Sequence, residues 1–130
     1  MGVFENVRTI TLTAGAAIAQ GRFVKVTTAG EVIQGAAAAD DIVGVALEAA
    51  AAQGDAISVA MADAGGKVSM EAGAATKAGA GVSSDATGRA IDVTATLTDK
   101  QSGYFLEAAG AAGEFVTVLL SKKAANNAVT

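Results

Sequence analysis

Residues 44–61 read GVALEAAAAQGDAISVAM, and residues 103–120 read GYFLEAAGAAGEFVTVLL. Laid together without a gap they agree at eight of eighteen positions, placing Leu47 on Leu106, Glu48 on Glu107, Gly54 on Gly113 and Val59 on Val118. Residues 13–34 and 71–92 also align without a gap and agree at eight of 22 positions, including Gly15 with Gly73, Gly21 with Gly79, Val24 with Val82, Gly30 with Gly88 and Ile33 with Ile91. The offsets are 58 and 59 residues, so the second copy carries one extra residue before Gly103. In a chain with 33 alanines and 16 glycines, random pairs agree at roughly one position in nine, or about two per block. The excess, kept in order and offset, marks a duplication: two similar β-units over 13–61 and 71–120, joined at Ala62–Gly66 (ADAGG) and closing one core together.

The β assignment comes from alternation. Thr9-Ile10-Thr11-Leu12-Thr13, Phe23-Val24-Lys25-Val26-Thr27, Ala56–Met61, Lys67-Val68-Ser69-Met70-Glu71 and Phe115-Val116-Thr117-Val118-Leu119 all have period two. Glu31–Gln34, Ile42–Leu47, Arg89–Val93 and Tyr104–Leu106 are further short apolar runs between Gly, Asp or Asn punctuation. About ten such strands make an all-β chain, a sandwich or barrel. Alanine has the best helix propensity, but the runs Ala36–Ala39 and Ala49–Ala52 are too short to stand as helices in water and read as surface turns or single helical turns.

The chain is one domain by length, 130 residues. It lacks Cys, His, Pro and Trp, which excludes a thiolate nucleophile, an imidazole base, disulfides and ordinary zinc or haem sites. We expect no cofactor, no metal and no enzymatic activity. No interior run is apolar enough to span a membrane, and Met1–Arg8 lacks the form of a signal peptide, so synthesis in the cytoplasm is the expectation. The net charge is −4, and residues 31–71 carry seven acids against Lys67 alone. That distribution offers no basic patch with stacking aromatics for nucleic acid.

The repeated G-x-x-L-E-A-A-x-A-x-G-[DE] element sets Glu48 and Glu107 at matched positions. Two carboxylates so placed fit either a glycosidase or cation-binding pair or two strand-end residues solvating symmetric turns. Repetition in equivalent turns favours the structural reading. Asp40-Asp41 lacks the spacing of a calcium loop.

The pattern A-G-A-A-x-x-x-G-x-x-V, then G-x-[AF]-L-E-A-A, then G-[DE]-x-[IV]-x-V-x-[ML], covering about 13–120, resembles the capsid cement, or head decoration, proteins of tailed bacteriophages. The resemblance implies a compact β-barrel or β-tulip domain and no catalytic residues. It implies binding to the outer surface of an assembled head, often as a homotrimer, holding neighbouring major capsid subunits together. A tail or fibre domain, or a cell-surface binding domain, is the alternative. An alanine- and valine-rich core leaves little margin in a monomer, which agrees with a protein stabilised by association.

Met1–Arg8 stands outside both repeats yet carries Val3, Phe4 and Val7. Apolar residues on a terminal arm suit a segment that orders against a partner, so Val3, Phe4, Val7 and Arg8 are the candidate capsid contacts. Covering the end of its own domain is the competing use of the arm. Ser121–Thr130 (SKKAANNAVT), poor in apolar residues, reads as a solvated tail.

Overall fold

The computed structural model describes residues 8–93 and 100–122. Ten strands run through them: β1 Thr9–Thr13, β2 Phe23–Val26, β3 Val32–Gln34, β4 Gly44–Ala46, β5 Ala56–Met61, β6 Lys67–Glu71, β7 Gly81–Ser84, β8 Ala90–Asp92, β9 Gly103–Phe105 and β10 Phe115–Leu120. The one helical segment among the described residues is a single 3-10 turn, Ala62–Ala64, at the join between the repeats. The run Ala36–Ala39 enters a turn, whereas Ala49–Ala52 precedes one at Gln53-Gly54, and its Ala50 is buried and bridges to Ile18 rather than lying on the surface.

The strands form two antiparallel sheets of five, ordered β1-β5-β4-β2-β3 and β6-β10-β9-β7-β8. Each strand of the first sheet has its counterpart at the same place in the second, 58 residues on at Thr9 and Lys67 and 59 residues on at Ala56 and Phe115. The repeating structure therefore begins at β1 and β6, a few residues earlier than the sequence alignment alone marks.

A single parallel bridge links the two edges of each sheet. Ala14, just past β1, pairs in parallel with Val32 of β3, and Ala72 pairs likewise with Ala90 of β8. The buried residues inside the first sheet are Ala, Val and Ile alone, whereas the second also holds Phe105, Met70 and Leu120. In the first sheet the inner face carries Val24, Val32, Ala46, Ile57 and Val59, packed with Ala14, Ile18 and Ala50. Their counterparts Val82, Ala90, Phe105, Val116, Val118, Ala72 and Ala109, with Thr76 in place of Ile18, are buried in the second. The units therefore do not close the single core expected from sequence: each sheet surrounds its own apolar cluster, because each alternating set faces the inside of its own sheet.

Two kinds of glycine explain why the repeat conserves this residue between its halves. Gly44 and Gly103 sit where neighbouring backbone leaves no room: a Cβ would collide with the carbonyl oxygen of Ala60 and of Leu119 respectively. Gly54 and Gly113 have φ of 97° and 94°, the left-handed region that favours glycine. Matched side chains do matched work as well. Glu48 accepts a hydrogen bond from the Ser58 N–H at 2.9 Å, and Glu107 accepts one from the Thr117 N–H at 2.7 Å. Asp55 accepts from the N–H groups of Ala51 and Ala52, and Glu114 accepts from Gly110.

Candidate functional site

The two sheets do not meet through equivalent surfaces. Pairing in β2, β4 and β5 puts Phe23, Val45 and Ala60 on one face, the outer face of the first sheet, because directly opposed residues point the same way. These three residues and Ile42 are buried, and they form one continuous apolar cluster with the inner residues of the second sheet, including Val68, Met70 and Leu120. Leu47 packs against the same cluster. The outer face of the first sheet thus closes one end, the mouth, of the curled second sheet.

Polar contacts hold this junction in register. The Phe23 N–H donates to the Gly88 carbonyl at 2.7 Å and the Glu71 N–H to that of Gly21 at 3.2 Å. The Arg22 guanidinium donates to Glu71 through Nε and Nη2, at 3.2 and 2.9 Å, and through Nη1 to the Thr87 carbonyl at 3.0 Å. Gln34 donates to that same carbonyl at 3.0 Å. Further out, Lys122 Nζ lies 2.8 Å from Asp41, and the Lys122 N–H bonds the Ala62 carbonyl. Ser121 and Lys122, read from sequence as the start of a solvated tail, are in fact tied down here.

Asp40, Asp41 and Asp85 are spent on structure. Hydrogen bonding and the charge of Lys122 hold the Asp41 carboxyl below its ordinary pKa. Burial works to raise Asp85, but the N–H groups of Thr87 and Arg89 and the Arg89 side chain outweigh it, and its pKa is lowered. Burial likewise opposes, and the Ala36 N–H together with Lys25 prevails in, the lowering of Asp40. Glu107 is lowered by the Thr117 N–H. Glu48 and Glu107 follow β4 and β9 and accept from the neighbouring strands β5 and β10, and among the described residues no group of three or more His, Cys, Asp or Glu could hold a metal ion. No helix among them is long and apolar enough to cross a membrane.

Of the candidate contact residues, Val3, Phe4 and Val7 lie outside the described residues. Arg8 is exposed, and its carbonyl accepts the Met61 N–H at 2.9 Å, so the chain enters β1 at the edge beside β5. The sequence reading missed the exposed apolar side chains: Ile10, Val26, Leu106, Phe115 and Leu119 are between 36% and 51% exposed. On sequence alone they are indistinguishable from their buried neighbours in the same alternating runs.

The profile of the phage cement protein family matches residues 4–120. No curated protein matches the chain. Among solved structures, the head fiber gp8.5 N base in bacteriophage phi29 is similar, with a TM-score of 0.69 over 95% of this chain and 99% of that chain at 23% identity, a likeness of fold. The family match runs through both sheets and the junction between them, and the chain belongs to the phage cement protein family.

Proposed function

We propose that this protein sits on the outside of the phage head and holds neighbouring major capsid subunits together, acting as a homotrimer and without catalysis. As a member of the cement family it is a structural protein of the virion capsid; that match is the observation that carries the reading. Two sheets with exposed apolar side chains suit a clamp, and carboxylates committed to backbone hydrogen bonds suit no acid–base pair. We read each curled sheet as a small five-stranded barrel and residues 1–8 as the arm that reaches the shell, with Val3, Phe4, Val7 and Arg8 in contact.

The test compares heads with and without the protein. Heads lacking it are expected to release their DNA at a lower temperature, and added protein to restore the difference. Heads equally stable in both forms would contradict a cementing role. Deleting residues 2–7 is expected to abolish head binding while leaving the melting temperature of the free protein unchanged. Binding that survives a deletion which lowers that temperature would assign the arm to the protein's own fold.

A further inference from the structure

The junction inside the chain joins two unlike surfaces, the outer face of one sheet and the mouth of the next. Each repeat carries both surfaces, so a chain of two repeats makes one junction and leaves one surface of each kind uncovered among the described residues. The pattern of exposure follows this rule. At the mouth of the second sheet Val68, Leu120 and Ser84 are at most 1% exposed. Their counterparts at the mouth of the first sheet are Ile10, 36% exposed, the half-buried Met61, and Val26, 51% exposed. On the outer face the relation is reversed. Ala60 is fully buried and Leu47 packs into the junction, whereas their counterparts in the second sheet, Leu119 and Leu106, are 36% and 44% exposed.

Four of the five exposed large apolar side chains therefore belong to these two uncovered surfaces; the fifth, Phe115, lies at the internal junction against Gly21. Replacement of charge agrees. The internal junction is pinned by Arg22 and Glu71, while the counterpart positions are Ala80 and Thr13, so the uncovered pair has no unmatched charge at that point.

We propose that copies of this chain associate head to tail, the outer face of the second sheet of one copy, with Leu106 and Leu119, covering the mouth of the first sheet of the next, with Ile10, Val26 and Met61. The contact stands in the place of the one already made within each chain, with Gly81 and Tyr104 where that one has Phe23 and Val45, and with the Gln101 side chain over Gly81. A heterologous contact of this kind closes into a ring or runs on as a filament, and the proposed trimer is the ring. The inference deepens the proposed self-association and rests on it.

The test uses two single-surface variants, Ile10→Asp and Leu119→Asp, with folding checked by circular dichroism and melting, and mass measured by sedimentation over a range of concentration. Wild type is expected to associate, and each variant to associate at least about tenfold more weakly. Mixed, the two variants are expected to form a one-to-one dimer and nothing larger, because only one intact junction remains available. Val26→Asp and Leu106→Asp form a second pair should either first variant fail to fold. If one variant associates as well as wild type, the contact is not head to tail and the proposal fails while self-association stands. If wild type is a monomer throughout, both fail. If deleting residues 2–7 turns a monomeric wild type into an oligomer, the chain's own N-terminal segment covers the mouth, and the proposal is wrong in its choice of occupant.

Discussion

Arg22 of the first sheet and Glu71 of the second meet at 2.9 Å across the junction, with both side chains more than four-fifths buried. Glu71 also faces Arg89 at 3.7 Å, so one carboxylate lies between two guanidinium groups. Removing Arg22 takes two part-buried donors from Glu71, which keeps only Arg89, while the exposed Thr87 carbonyl keeps Gln34. Arg22→Ala is expected to lower unfolding stability by about 2 kcal/mol, as measured by urea denaturation. A change within experimental error would mean that the junction is held by its apolar cluster alone.

That apolar cluster has its own signature. Phe23 belongs to the first sheet but is buried in the cluster of the second, and Phe105 is buried on the inner face of the second. Phe23→Ala and Phe105→Ala are each expected to cost about 3–5 kcal/mol. Two-state unfolding is expected in the wild type, because one apolar cluster joins the outer face of the first sheet to the interior of the second, beside the separate cluster inside the first sheet. Separate melting of two halves would show that the junction is weak.

Gly44 and Gly103 face backbone carbonyls with no room for a methyl group. Ala at either position forces β4 from β5, or β9 from β10. Each substitution is expected to destabilise by about 1–3 kcal/mol, by similar amounts in the two halves. A neutral Gly44→Ala would refute the close approach of Gly44 to Ala60.

Much of this was legible in the chain. Alternation marks β1, β5, β6 and β10 because their inner residues are large and regularly spaced. β7, Gly81–Ser84, has no such run; it becomes visible only through the repeat, which sets Val82 on Val24. The junction was not legible. Phe23 and Val45 look like ordinary strand residues, and Gly81 and Tyr104 stand at the matching places in the second copy, so only the packing shows which outer face is covered. Ile10 and Val68 hold the same place in their repeats, and nothing local separates exposed from buried. The unequal fate of equivalent residues follows from adding two units in a row.

Asp40, Asp41 and Asp85 all have pKa values below the ordinary 3.8 in the folded protein. A lowered carboxyl stabilises the fold above its unfolded pKa, and that contribution is lost as pH falls through the lower folded value. The melting temperature is therefore expected to be insensitive to these groups near neutrality and to fall as the pH drops below about 4. Asp85→Asn, which breaks the contact with Arg89 Nε at 3.2 Å, is expected to lower stability at neutral pH and to reduce the acid-induced fall. An unchanged acid slope in Asp85→Asn would show that its carboxylate is not held in this way.

The role on the head is tested most directly by electron cryomicroscopy of heads carrying and lacking the protein. The expected map shows the two-sheet domain on the outer surface, each copy touching more than one major capsid subunit and its neighbours meeting in threes. Density inside the shell, on the tail, or confined to isolated copies on single capsid subunits would contradict it.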